Sequence, residues 1–99
     1  MEALDRNYII ALYDLYGALL TEKQRSYFED YYFMDLSIGE IALNYSISRN
    51  GVYDQVKRSV LALEDYEGKL GLHKKLLEIE KLNIAKDLKE AIFNILMEE

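Results

Sequence analysis

The sequence predicts an all-α protein, an orthogonal helical bundle with a helix-turn-helix over about residues 37–63 and a C-terminal helical extension over about 73–97. Three observations carry that prediction. The chain has no proline, yet 51% of its residues are apolar, a balance that helices tolerate and tight-turned sheets do not. Its apolar residues recur every three or four positions in successive segments. Two segments, Thr21-Glu22-Lys23-Gln24 and Ser37-Ile38-Gly39-Glu40, have the pattern of a capping box that opens a helix.

The elements follow in order. Leu4, Ile9, Leu12, Tyr13, Leu15, Tyr16, Leu19 and Leu20 predict a first helix from about 3 to 18. Thr21 opens the second, which carries Tyr27, Phe28, Tyr31 and Tyr32 and ends at Asp35-Leu36. Ser37 opens a short third helix, Ile38 to Asn44. Ser48 caps a longer fourth from Arg49, which buries Val52, Val56, Val60 and Leu63. Gly71-Leu72 reads as a helix C-cap with the glycine left-handed. A fifth helix runs from about 73 to 97, with Asn83 as the point where it would break.

Length and composition exclude several classes of function. Ninety-nine residues make one domain, 1–99, large enough to hold a core without staples. The absence of cysteine excludes disulfides, thiolate metal sites and a cysteine nucleophile, and a single histidine excludes multi-histidine sites. No acid–base set, phosphate loop or metal cluster is visible, so neither enzymatic activity nor a cofactor is expected. No signal peptide opens the chain and no apolar run approaches ~18 residues, so no membrane span and a cytoplasmic location are expected.

The net charge is −6. Residues 1–36 carry seven acids and three bases, and residues 64–99 nine acids and six bases. Residues 37–63 differ, with two acids (Glu40, Asp54) and three bases (Arg49, Lys57, Arg58). The helix-turn-helix is therefore the one third that is not acidic, though its excess is small for a protein held by phosphate contacts.

Within it, Ala42 supplies the small residue where the two helices cross, and Ile38, Ile41, Ile47, Val52 and Val56 lock the crossing. Tyr45–Ser48 form a four-residue turn. The outward residues early in the second helix can reach base edges: Arg49, Asn50, Tyr53, Asp54, Gln55, Lys57 and Arg58. Two positions depart from the pattern. Ser46 stands where a positive φ favours glycine or asparagine. Gly51 lies inside the second helix, where alanine is better by roughly 1 kcal/mol, so the reading end is expected to fray.

Other candidates are weighed against simpler roles. Asp54 can accept from a cytosine amino group, but near phosphate it is repelled, and a solvated or inter-helix role is favoured. Tyr27, Tyr31 and Tyr32 could stack on unpaired bases; their helical spacing favours the core and its rim. His73 reads as a surface residue, and the acidic runs Glu64-Asp65 and Glu98-Glu99 as solvated. The C-terminal helix is too apolar to stand alone. It either folds back over the core or pairs with a second copy. A symmetric dimer would present two reading helices to adjacent half-sites.

Residues 20–63 resemble the fourth region of bacterial sigma factors, the part that recognises an upstream promoter element. A longer resemblance covers residues 4–72. Leu19-Leu20-Thr21-Glu22-Lys23-Gln24-Arg25, Gly39-Glu40-Ile41-Ala42, Ser48-Arg49 with Val52-Tyr53-Asp54, Lys57-Arg58, and Leu63-Glu64-Asp65-Tyr66-Glu67 through Lys69-Leu70-Gly71-Leu72 together resemble the YlxM family. These are small bacterial helix-turn-helix proteins associated with the signal recognition particle (SRP) pathway. The resemblance implies a sigma-region-4-like core and an accessory or regulatory role. Such a protein would bind protein or RNA of the particle and modulate its targeting GTPase. The alternative is a transcriptional regulator that binds duplex DNA. A complete sigma factor is excluded, because nothing resembles a promoter-melting domain.

Overall fold

Most helices in the computed structural model, which describes residues 5–98, begin where a polar side chain can close the first turn. The Asp5 carboxylate accepts from the Asn7 N–H at 3.0 Å and opens α1, Arg6–Tyr16. The first helix was expected from about residue 3; residues 3 and 4 lie outside the described residues. A 3-10 turn, Gly17–Leu19, follows. The Thr21 hydroxyl accepts from the Gln24 N–H at 3.1 Å while the Gln24 side chain accepts from the Thr21 N–H at 2.9 Å, opening α2, Glu22–Tyr32. Ser37 and Glu40 repeat that reciprocal pair, at 3.0 Å each way, for α3, Ile38–Tyr45. Ser48 accepts from the Gly51 N–H at 3.0 Å and opens α4, Arg49–Leu70. Then come α5, Leu72–Glu80, and α6, Lys86–Met97.

The second helix ends earlier than Asp35-Leu36. Asp35 takes φ 55° and the Leu36 N–H turns back to the Asp30 carbonyl at 3.1 Å, so the chain leaves the helix after Tyr32. Arg6 ties this corner to α1: its guanidinium donates to the Tyr32 carbonyl and to the Asp35 carboxylate.

The spine is α4, which packs against α1, α2 and α3. Val52, Val56 and Leu63 are fully buried and meet Leu12, Phe28 and Ile41 in one core. Burying side chains of this size contributes about 1.5–3 kcal/mol each. Phe28 sits between two tyrosines, its ring stacked on Tyr13 at 4.4 Å and on Tyr32 at 4.5 Å. Tyr27 and Tyr32 are buried and Tyr31 is half-buried, as helical spacing favours. Ser59 brings α2 close to α4; its buried hydroxyl donates to the Gln55 carbonyl at 2.9 Å and reaches the Gln24 carbonyl at 3.3 Å.

Gly71 closes α4 with φ 62° and its N–H on the Glu67 carbonyl, as its position predicts. It offers α5 no side-chain cap. Glu67 does so from the preceding helix. Its carboxylate accepts from the His73 N–H at 3.0 Å and the Lys74 N–H at 3.2 Å, and from the Tyr16 hydroxyl at 2.6 Å. The Leu72 N–H donates in turn to the Tyr16 oxygen at 3.0 Å. Partial burial pushes the Glu67 carboxyl up, but these donors outweigh it and hold the group below the usual carboxylate range. His73 is half-buried rather than a free surface residue, with its ring edge-on to Tyr8 at 5.1 Å.

The expected fifth helix is broken across Lys81–Ala85, at the place marked by Asn83. The Lys89 ammonium bridges the break by donating to the Glu80 carbonyl at 2.8 Å. Neither α5 nor α6 contains a buried residue. Packing of α5 on α1 anchors this arm, and α6 packs on α5 instead of folding back over the core. The described residues extend over 50 × 21 × 20 Å.

Candidate nucleic-acid or protein interface

The helix-turn-helix is α3, a short turn and the first half of α4. Ala42 is buried at the crossing, with Ile41, Val52 and Val56 around it. The turn is tighter than Tyr45–Ser48, because Tyr45 still belongs to α3. Its ring lies against Tyr27 at 4.6 Å and its hydroxyl donates to the Asp30 carboxylate at 2.9 Å. Ser46 is left-handed, with φ 55° and ψ 42°, as its place in the motif requires. Its N–H and that of Ile47 close α3 on the Leu43 and Ala42 carbonyls.

The reading end of α4 is well formed rather than frayed. Gly51 is the third residue of the helix and donates the capping hydrogen bond to Ser48. A Cβ there would sit 3.2 Å from the Ser48 hydroxyl oxygen. The missing side chain therefore leaves room for the cap, an effect that helix propensity alone does not register.

Helical geometry, 100° per residue, spreads the seven candidate residues around α4. Asn50, Asp54, Lys57 and Arg58 are exposed on its outer side. Arg49 and Tyr53 are exposed on the flank nearer α3. Gln55 is only partly accessible, on the flank near α2. One of the three bases is paired and a second is laid against the neighbouring helix. Arg58 pairs with Asp54 at 2.9 Å. The Arg49 guanidinium lies over Gly39, where an added Cβ would be 3.1 Å from Nη2. Glycine at 39 thus lets the arginine lie flat on α3.

Beside this face is an open groove of about 640 Å³ lined by Gly39, Glu40, Ala42, Leu43, Ile47 and Arg49, among others. Its lining mixes apolar Ala42, Leu43 and Ile47 with three serines, Glu40 and Arg49, and Tyr53 is exposed nearby on α4. Leu43 is 82% exposed, Ile47 38% and Tyr53 43%. Ile47 was expected to lock the crossing, but it stands half out of it because the Ser46 turn directs it toward the groove. Leu43 escaped the sequence reading altogether. Its signal was available: it falls off the inward stripe of Ile38, Ile41, Ala42 and Tyr45. Glu40 lines the groove as a carboxylate, held below its ordinary range by hydrogen bonds from Ser37.

Among the described residues, no cluster of three or more His, Asp or Glu side chains is placed to hold a metal ion. No described helix is long and apolar enough to cross a membrane.

Comparison with known proteins agrees with this geometry. The family model described as "Putative helix-turn-helix protein, YlxM / p13 like" (UPF0122) matches residues 4–98. A UPF0122 protein of Caldanaerobacter subterraneus subsp. tengcongensis is 57% identical over 74 residues, covering 75% of this chain and 63% of that protein. One from Thermoanaerobacter sp. (strain X514) is 56% identical over 72 residues, 73% of this chain and 62% of that protein. One from Geobacillus sp. (strain WCH70) is 54% identical over 71 residues, 72% of this chain and 64% of that protein. The matched stretch is less than two thirds of each relative's length.

Proposed function

The chain belongs to the UPF0122 family of YlxM / p13-like helix-turn-helix proteins, and from that premise we propose that it is a cytoplasmic accessory or regulatory protein of the SRP pathway. In this reading it binds protein or RNA of the particle through the α3–α4 face and performs no chemistry of its own. The pathway rests on the YlxM resemblance. The mode of binding rests on one observation: the reading helix carries three bases, and one of them is already paired with a carboxylate. With Arg58 on Asp54 and Arg49 laid over Gly39, Lys57 is the base on that face without such an engagement. The surface beside it exposes Leu43, Ile47 and Tyr53 among serines and Glu40. Such a face suits a partner recognised by contact rather than by phosphate charge.

A second reading, a sigma-region-4-type regulator that binds duplex DNA, is favoured by the intact reading helix. Its Ser48 cap is made and its outer side presents Asn50 and Lys57.

A pull-down of the full chain from native lysate, with and without nuclease, separates the two. Nuclease-resistant recovery of SRP components supports the first reading; recovery of DNA alone supports the second. Titration against duplex DNA and structured RNA across a salt series adds a quantitative test. Three phosphate contacts would give a log–log slope of about −2.7 at most on duplex DNA. Lys57→Gln is expected to reduce its magnitude by roughly one unit without altering sequence preference. Asp54→Asn is expected to tighten non-specific binding by releasing Arg58. Tight, sequence-selective DNA binding at physiological salt, indifferent to Lys57, would replace the first reading with the second.

A further inference from the structure

We propose that α6 is the subunit contact of a homodimer, in which the α6 helices of two copies pack antiparallel. A helix of 12 residues is marginal in water on its own. This one has no side-chain cap at Ala85 and no basic residue in its last turn. It does have a seam, Leu88, Ile92 and Ile95, at spacings of four and three, with Leu96 beside it. Packing on α5 half-buries Ile92, the middle of that seam, and leaves the rest open: Ile95 is 70% exposed, Leu88 52% and Leu96 42%.

Charge identifies the occupant as a second copy. Residues 5–71 hold seven bases and eleven acids, so two bundles repel each other. Residues 72–99 hold five bases and six acids, net −1, so the arm is the less charged part of the molecule and meets its own copy with little of that penalty. An apolar seam in a stretch of low net charge also offers a polyanion or polycation little field to recognise. The distribution along α6 sets the direction. Lys86 is its first residue and Glu98 follows its last, about 18 Å away. Antiparallel packing brings the Lys86 end of each copy to the Glu98 end of the other and opposes the two helix dipoles. Parallel packing would stack like charges at both ends.

Sedimentation of the full chain over a dilution series is expected to show a mass that rises to twice that of one chain. Ile95→Lys changes a side chain that is already largely exposed in a single copy, so helical content should hold while the chain stays monomeric. Leu43→Lys, on the groove beside the reading helix, should leave the dimer intact. Lys86→Glu and Glu98→Lys each favour α6's own dipole, so neither should unwind it. Each alone is nevertheless expected to raise the dissociation constant roughly threefold to thirtyfold, and the double variant to restore it. A wild-type monomer at every concentration would overturn the proposal. A dimer that survives Ile95→Lys, dissociates with Leu43→Lys, or ignores the single charge reversals would overturn it as well.

Discussion

Three backbone positions show how far one residue's environment departs from its average tendency. Ser46 sits at φ 55° without being glycine, a conformation that costs an ordinary L-residue about 1–2 kcal/mol and asparagine less. Ser46→Asn is therefore expected to raise stability by about 0.5–1 kcal/mol, a gain of several degrees in Tm for a chain of this size. A lower melting temperature would mean that the serine has a role in the turn beyond its backbone angles. Gly51 and Gly68 both lie in α4, and helix propensity assigns each about 1 kcal/mol on mutation to alanine. Their surroundings separate them. A Cβ at Gly68 meets nothing within 4 Å, whereas at Gly51 it crowds the Ser48 oxygen that caps the helix. Thermal melts should show the full gain for Gly68→Ala and little or none for Gly51→Ala. Equal gains would show that the cap shifts at no cost.

At the scale of elements, hydrogen-bonding patterns written locally were the most legible. The Thr21, Ser37 and Ser48 starts and the Gly71 stop each depend on a few adjacent residues, and each lies where the sequence places it; the stretch expected as one helix over about 73–97 is two, divided around Asn83. The end of α2 was missed because it depends on Asp35 turning left-handed under Arg6, a contact 29 residues away in sequence. The cap on α5 was missed for the same reason. Glu67 reaches it from the previous helix with Tyr16, 51 residues earlier, as its partner. That cap has a pH signature. Because the folded carboxyl lies below its ordinary range, its contribution is complete at neutral pH. The contribution is lost as pH falls from the usual carboxylate range down through the lowered folded value. Glu67→Gln, which removes the charge, should cost about 1 kcal/mol at pH 7. Denaturation measured between neutral and acid pH should show the difference between wild type and Glu67→Gln shrinking toward the acid end. A constant difference would mean that the glutamate acts only through its packing.

For the whole molecule, the core was legible because one amphipathic stripe on α4 organises it, and Val52, Val56, Val60 and Leu63 are all buried. The candidate interface was legible only as a list. Sequence placed seven side chains on one helix. Which of them lie free on the surface depends on the Asp54–Arg58 pair and on Gly39, a residue of α3. The uneven distribution of burial has a kinetic consequence. Core amides of α4 should exchange with deuterated water only when the whole bundle opens, at a free energy near the global value. Those of α6 belong to a helix with no buried residue, and in a single copy they should exchange at rates close to those of a free peptide. If the seam is closed by a second copy, slowing of α6 exchange will follow the protein's concentration, while α4 remains indifferent to it. Two clocks in one chain, one set by folding and one by encounter, would then run at rates that dilution alone can separate.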